Sequence, residues 1–103
     1  MSLAEVENTF KRILTRKGVK GVLIVTREEG LVIKSSLEEE LGKKYAKVIK
    51  NLIKVAQESI VEIEEQDFLK FLRIRTDKHE IMVSPAAEYI LVVVQDPSEL
   101  HGQ

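Results

Sequence analysis

The chain contains no cysteine, and only 2 of its 103 residues are proline. Without cysteine there can be no disulfide framework, no thiol nucleophile and no zinc–thiolate site. No linker and no low-complexity segment divides the chain, and its length fits one domain. The sequence therefore predicts a single domain over residues 1–97, followed by a flexible C-terminal tail over residues 98–103.

The chain also has little net charge of either sign. Its 16 basic and 17 acidic residues give a formal net charge of -1. General polyanion binders are usually clearly basic, so we expect no nucleic-acid partner. The longest apolar run, residues 89–94, is far shorter than the roughly 20 residues that span a bilayer. The start of the chain lacks the apolar core of a signal peptide. We expect a cytoplasmic protein with no membrane insertion.

Groups that could do chemistry are sparse and scattered. His79 falls in a turn beside Glu80, and His101 falls in the tail. The carboxylates fall in turns and at helix ends, whereas acid–base catalysis needs two of them held in unlike environments. The segment GVKG at 18–21 is too short for a phosphate-binding loop and precedes a strand. We therefore expect no enzyme, no catalytic residue, no metal and no cofactor.

Hydrophobic periodicity predicts two helices. The first is amphipathic, because its apolar residues recur at helical spacing in one narrow stripe. This stripe consists of Leu3, Val6, Phe10, Ile13 and Leu14. Further along, Ser35 and Ser36 precede Glu38 and Glu39 at the spacing of a capping box. They predict the start of a long second helix, which ends near Ile63.

Five short segments have the character of strands: residues 22–26, 31–34, 68–76, 80–84 and 88–95. A tight turn at 27–30 joins the first two, with Gly30 available for a positive φ. Residues 22–25 and 90–94 are apolar at every position, so we expect them side by side at the centre with both faces covered. The order α-β-β-α-β-β-β then gives an α+β fold with a five-stranded antiparallel sheet, order 2-1-5-4-3, and helices on both faces.

The long helix carries more apolar surface than packing on a sheet requires. Its apolar residues form two adjacent seams that together cover roughly 160°, where about 100° is usual. The seams are Leu41, Tyr45, Val48, Leu52 and Val55, and Ile49, Ile53, Ala56, Ile60 and Ile63. One seam can pack on the sheet. The other is either core covered by the first helix or a surface that a partner covers.

The predicted third strand lies at an edge of the sheet and is apolar on both faces. Leu69 and Phe71 point one way, while Phe68 and Leu72 point the other. An unpaired edge of this kind is an aggregation hazard, and pairing with the same strand of a second copy removes it. A two-fold axis there also brings the two long helices together. A homodimer explains both apolar surpluses, so we favour it.

Four lysines, Lys43, Lys47, Lys50 and Lys54, follow the outer face of the long helix, opposite the apolar seams. An ordinary solvated face is the simpler explanation for such a row. The functional alternative is a face that binds an acidic partner segment or an anionic surface. Nucleic acid is a poorer match, because no aromatic residues are interleaved with the lysines.

Several stretches of sequence occur together in a specific order and spacing. They are GVKG at 18–21 leading into the first strand, Gly30 in the hairpin, Tyr45-Ala46 in the long helix, FLRIRT at 71–76, EIMVSP at 80–85 and YILVVVQDP at 89–97. In this combination the chain resembles the roadblock-type dynein light chains. The resemblance extends from the first helix to Pro97.

The resemblance implies a non-catalytic accessory light chain that forms a homodimer and binds a dynein intermediate chain. One sheet would run through both subunits, joined at the third strand. The resemblance places Leu69, Phe71 and Arg73 at that junction, and Ile49 and Ile53 near the helix–helix contact. It implies a cytoplasmic, cytoskeleton-associated location, at either cytoplasmic or axonemal dynein. Relatives of the same fold serve as scaffolds or regulators of small GTPases, and this is the alternative function.

Overall fold

Two helices and five strands follow one another in the predicted order, α-β-β-α-β-β-β. The structure is a computed structural model that describes residues 2–97, so the predicted tail at 98–103 lies outside the described residues. The elements are α1 (Leu3–Leu14), β1 (Val19–Thr26), β2 (Val32–Ser35), α2 (Glu39–Ile63), β3 (Leu72–Arg75), β4 (Glu80–Pro85) and β5 (Tyr89–Gln95).

The five strands form one antiparallel sheet in the order β2-β1-β5-β4-β3, which confirms the predicted order. β1 and β5 lie side by side at the centre, with Leu23 opposite Val92 and Ile24 opposite Leu91. These strands are apolar at successive positions because both of their faces are covered. β2 and β3 form the two edges, and neither has a further strand partner within residues 2–97.

Each face of the sheet has its own hydrophobic core, because successive residues of a strand point to opposite faces. The α1-side core consists of Val6, Phe10 and Ile13 from α1 with Val22, Ile24 and Val93 from the sheet. The α2-side core consists of Ala46, Ile49 and Ile53 from α2 with Leu23, Val25, Val83, Ile90 and Val92 from the sheet. The predicted architecture, one sheet with a helix on each face, is confirmed.

Both helices begin at side chains that cap them, and the cap of α2 is not the predicted one. Ser2 caps α1 in a capping box: its Oγ accepts from the Glu5 amide at 3.2 Å, and Glu5 Oε1 accepts from the Ser2 amide at 3.3 Å. The hydrogen bonds that the Glu5 carboxylate accepts from the Ser2 amide and the Ser2 hydroxyl hold the pKa of Glu5 below its ordinary value. The capping role predicted for Ser35 and Ser36 is wrong. Glu38 caps α2, and its carboxylate oxygens accept from the amides of residues 40 and 41, each at 3.1 Å.

The two serines instead fix the connection between β2 and α2. Ser36 Oγ accepts a hydrogen bond from the Val22 amide at 2.9 Å, and Ser35 Oγ accepts one from the Leu37 amide at 3.0 Å. Their hydroxyls are therefore occupied before the helix starts. The free helical amides of the first turn are left to the carboxylate of Glu38, which the positive end of the helix dipole also favours.

The turn between β1 and β2 has the predicted geometry, with Gly30 at a φ of 73°. The third strand is shorter than predicted, since β3 covers Leu72–Arg75 and not residues 68–76. Leu72 pairs with Val83, so an earlier extension of β3 would run opposite Pro85 and the turn that follows it. Proline has no amide hydrogen to donate, and the ladder ends there. The remaining strand ends agree with the predicted ones or differ from them by one to three residues.

Candidate functional site: two flanks of the long helix

Three faces run along α2, because each residue advances about 100° around the helix. Gly42, Ala46, Ile49 and Ile53 form the face that is buried against the sheet. On one side of it lies the apolar flank, which we define as Leu41, Tyr45, Val48, Leu52 and Val55. On the other side lies the lysine flank, Lys43, Lys47, Lys50 and Lys54. The lysines were predicted on the outer face of the helix, opposite both apolar seams. They lie instead next to the buried face, on the side of α2 that is turned towards β2.

The expected place of Ile49 and Ile53 needs correction. Each is only 2% exposed, and both pack in the α2-side core, so they have no surface to offer a second chain. The core here is closed by the sheet and not by α1, which lies on the opposite face. The small residues Gly42 and Ala46 belong to the same stripe and let the helix approach the strands. A Cβ at Gly42 would lie 3.1 Å from Ser35 Oγ, which is closer than ordinary contact.

The apolar flank is the seam that the chain itself leaves uncovered. Leu41 is 42% exposed, Val48 is 62% exposed and Val55 is 51% exposed. Tyr45 and Leu52, between them, are only partly buried at the margin of the α2-side core. An uncovered apolar row on a helix surface is typical of an interaction surface.

The edge next to this flank is β3. Leu69 and Leu72 pack against the same α2-side core as Tyr45 and Leu52. Because the lysine flank lies next to β2, the apolar flank lies on the side of α2 that is turned towards β3. Gln57 ties the segment before β3 to α2. Its Oε1 accepts from the Leu69 amide at 2.8 Å, and its Nε2 donates to the carbonyl of residue 67 at 3.0 Å.

The other predicted junction residues are half exposed beside this edge. Phe71 is 49% exposed, just before β3 begins. The Arg73 side chain is 48% exposed and donates through Nε to the buried carboxylate of Glu80, on the neighbouring strand. We call the apolar flank, Phe71 and the outer edge of β3 the β3-side surface. The predicted roles of Leu69, Phe71 and Arg73 in a dimer stay predictions.

A groove of about 830 Å³ lies at the opposite side of the molecule, between α2 and β2. It is lined by Glu29, Gly30, Leu31, Val32, Ser35, Leu37, Glu39, Gly42, Lys43, Lys47 and Lys50. Lys54 lies just beyond it, along a smaller depression shared with Lys50 and Arg27. The structure thus brings three of the four predicted lysines together on the wall of one groove, which the sequence did not reveal.

Among the described residues, the groups that could do acid–base or metal chemistry are not assembled into a site. The amide of His79 donates to Thr76 Oγ1 at 3.0 Å, and its carbonyl accepts from the Thr76 amide at 2.8 Å, so this residue closes the β3–β4 turn. In the part of the chain that the structure describes, no three His, Cys, Asp or Glu side chains are grouped so as to hold a metal ion. Within residues 2–97, neither helix combines the length and apolar character that crossing a bilayer requires.

A three-layered helix–sheet–helix domain with the order 2-1-5-4-3 defines a roadblock-type fold. The sequence model of the Roadblock/LC7 domain matches residues 5–96, and the chain belongs to this family. It is similar to the gliding protein MglB from Thermus thermophilus, with 15% identity, a TM-score of 0.75, and coverage of 96% of this chain and 81% of that chain. It is also similar to a Roadblock/LC7 domain from Streptomyces avermitilis, with 13% identity, a TM-score of 0.74, and coverage of 82% and 71%.

A further similar structure is MglB with a tetrameric arrangement, with 14% identity, a TM-score of 0.74, and coverage of 96% of this chain and 80% of that chain. At these identities the likeness extends to the fold alone. The resemblance to the roadblock family and the predicted fold are thus confirmed. The partner that the sequence implied, a dynein intermediate chain, stays a prediction.

Proposed function

We propose that this protein is a homodimeric, non-catalytic scaffold or regulator of a small GTPase. The observation that carries the proposal is the β3-side surface, where an uncovered apolar row on α2 adjoins the free edge of β3. A second copy related by a two-fold axis satisfies both features, since it pairs β3 with β3 and α2 with α2. The MglB structure with a tetrameric arrangement supports self-association as a property of this fold.

The dimer gains stability from surface that is exposed in the single chain. Val48, Val55 and Phe71 are each about half exposed or more. Covering such side chains contributes roughly 1 kcal/mol each, on the usual scale of 1.5–3 kcal/mol for full burial. Because an isologous interface buries every residue twice, the apolar gain is doubled and can offset the entropy lost on association.

The small-GTPase role is better supported than the dynein role. The similar structures come from bacteria, where a dynein intermediate chain is not the natural partner, and one of them is named a gliding protein. The resemblance implies that proteins of this fold act either on dynein or on small GTPases. Only the GTPase role suits bacterial proteins such as those in the similar structures. The dynein intermediate chain remains the rival partner that an experiment must include.

A regulator of this kind acts by holding its partner and not by inserting an arginine of β3. Arg73 already contacts the carboxylate of Glu80, which is itself buried. Arg75 also has an interaction within the chain. Neither arginine of β3 is therefore free to reach the phosphates of a bound nucleotide. The dimer would instead orient the switch regions of the GTPase or recruit it to another component.

The test measures binding of purified small GTPases, loaded with GDP or with a non-hydrolysable GTP analogue, to the immobilised protein. A labelled dynein intermediate-chain segment serves as the rival ligand. We expect one nucleotide state of a GTPase to bind more tightly, and the Phe71→Lys variant to lose this binding together with its dimeric mass. Binding of the intermediate-chain segment, with no GTPase bound at high micromolar concentration, would overturn the proposal in favour of the dynein role.

A further inference from the structure

The edge strand β2 carries an apolar surface of its own. Leu31, Val32 and Ile33 are 55%, 36% and 42% exposed, and no strand covers the outer side of β2 within residues 2–97. A bulge interrupts the pairing with β1, because the register shifts between Ile24 and Val25. The outer backbone groups of an edge strand are available for pairing with another chain. A short, exposed and apolar edge is thus open on one side of the groove.

The opposite wall of the groove is basic. Lys47, Lys50 and Lys54 lie on consecutive turns of α2, and none of them forms an ion pair with another described residue. Lys43, at the end of the row, forms ion pairs with two glutamates: its Nζ lies 3.6 Å from Glu39 Oε1 and 3.8 Å from Glu40 Oε1. The centre of the groove therefore has uncompensated positive charge.

One of these lysines is held in place by the hairpin. The stem of Lys50 lies across Gly30, where an added Cβ would approach Lys50 Cδ to 2.9 Å. Gly30 also has a φ of 73°, which L side chains rarely adopt. The stem thus packs over the turn and forms part of the groove wall, while the ammonium group at its end remains polar.

We propose that this groove binds an extended acidic segment of a partner protein, which adds to the sheet as a strand along the outer edge of β2. Main-chain hydrogen bonds to the edge provide the register, as in other strand additions. Carboxylates on the side of the segment that faces α2 meet the lysines. Because successive side chains of a strand point to opposite faces, the intervening positions of the segment point away from the lysines, and apolar residues there keep its charge on the α2 side.

The spacing of the two elements agrees with this arrangement. Lys43 and Lys54 are separated by about 16 Å along a helix that rises 1.5 Å per residue. An extended strand covers the same length in about five residues, and its side chains on one face recur roughly every 6.6 Å. Lysines three or four positions apart on a helix recur about every 4.5–6 Å. Two or three carboxylates at alternate positions of the segment can therefore each find a lysine.

Two glutamates of the groove limit how far the acidic part of the bound segment can extend. Glu29 lies at the hairpin side of the groove and Glu39 at the start of α2. An acidic segment that continued past either of them would meet like charge, which disfavours binding. The favoured ligand therefore has its carboxylates confined to the middle, opposite Lys47 and Lys50.

The groove is separate from the β3-side surface. β2 and β3 are opposite edges of the sheet, and the lysine flank and the apolar flank lie on opposite sides of the buried face of α2. The proposal thus goes beyond the proposed function. The groove should bind its segment in the wild-type protein and in the Phe71→Lys variant alike.

The test uses a fluorescein-labelled peptide of about seven residues, long enough to cover the strand, with glutamates at two central alternate positions, valine between them, and glycine and serine towards both ends for solubility. Fluorescence anisotropy gives the affinity, and amide chemical shifts identify the residues contacted. We expect the largest shifts in β2 and along the lysine flank. Binding should weaken at least about tenfold between roughly 0.05 M and 0.5 M salt, because screening shortens the reach of the lysines.

Matched variants separate the groove from general charge. Lys47→Glu/Lys50→Glu should weaken binding at least about tenfold. Lys11→Glu/Lys20→Glu makes the same change in net charge outside the groove and should leave the affinity within about twofold. Thermal melts of both variants show whether each is folded. A peptide methylated at alternate backbone nitrogens keeps its carboxylates but cannot pair as a strand, so it should not bind.

Three outcomes would overturn the proposal. Equal binding of the methylated peptide would show that the lysines hold acidic side chains without strand addition. Equal loss in the two charge-reversal variants would show a non-specific attraction. If phosphatidylserine vesicles bind through Lys47 and Lys50 while the peptide does not bind at all, the lysine flank is a membrane-facing surface and not a protein-binding groove.

Discussion

Replacement of two exposed valines on α2 should dissociate the dimer without unfolding the chain. The variant is Val48→Lys/Val55→Lys, at positions that are 62% and 51% exposed in the single chain. Lysine has a higher helix propensity than valine, so the helix itself should not be weakened. Surface substitutions of this kind usually change the free energy of unfolding by less than about 0.5 kcal/mol. Any large effect must therefore arise in the assembly.

The magnitude follows from the surface that each valine has left to bury. Full burial of a valine side chain contributes about 1.5 kcal/mol, so covering the exposed part contributes about 1 kcal/mol at Val48 and slightly less at Val55. In the proposed two-fold dimer each valine is buried twice, so the expected loss is about 3 kcal/mol. This corresponds to a rise in the dimer Kd of at least about a hundredfold. The cost of burying the new ammonium groups adds to it.

Sedimentation equilibrium over a dilution series measures this directly. The wild-type protein should keep a mass near twice the 11.7 kDa of the chain, while the variant falls towards the chain mass. Leu14→Lys is the matched control, because Leu14 is 39% exposed on α1, on the other face of the sheet. It should leave the dimer unchanged. A wild-type protein that is monomeric at about 100 μM, or a variant with an unchanged Kd, would refute the reasoning.

Three further predictions test how the fold holds its surfaces in place. Gly21→Ala should destabilise the protein by about 1–2 kcal/mol in urea unfolding, because the new Cβ would lie 2.9 Å from Leu37 Cγ. Adding Leu37→Ala should remove part of that strain. Additive losses in the double variant would show that the two side chains do not clash. Ser2→Ala should cost about 1 kcal/mol in the same assay, because α1 loses its cap. The pKa of Glu5 is lower in the folded chain than in the unfolded chain. The ionised carboxylate therefore adds to the free energy of unfolding above the unfolded-state pKa, and this contribution is lost as the pH falls through the folded-state pKa. Glu5→Gln should therefore flatten the acid side of the stability–pH profile, and an unchanged profile would show that the cap does not titrate.

The sheet could be predicted from the sequence because its central strands have only one consistent place. Residues 22–25 and 90–94 are apolar throughout, and a strand of that kind is stable only where both of its faces are covered. With these two strands at the centre, the connections place the strands predicted at 31–34 and 68–76 at the two edges of the sheet. By contrast, the length of β3 depended on Pro85 of another strand. A pattern within residues 68–76 could not show where its partner would stop pairing.

The orientation of α2 could not be predicted from periodicity alone. Two adjacent apolar seams have the same period, so the pattern does not indicate which one faces the strands. Gly42 and Ala46 were the available signal, since small residues permit close approach of a helix to a sheet. The groove was also hidden, because it is formed by residues of β2 and α2 that come together only in the folded chain.

A dimer joined through β3 has a geometric consequence for the grooves. One sheet running through both protomers would have the two β2 strands at its outer ends, because β2 and β3 are opposite edges. With strands about 4.8 Å apart, nine strand-to-strand intervals separate these ends by about 43 Å. A single short acidic segment can then occupy one groove but not both. Two grooves can be used together only by two partners, or by one partner whose acidic segments are joined by a linker of that reach, which would raise its avidity.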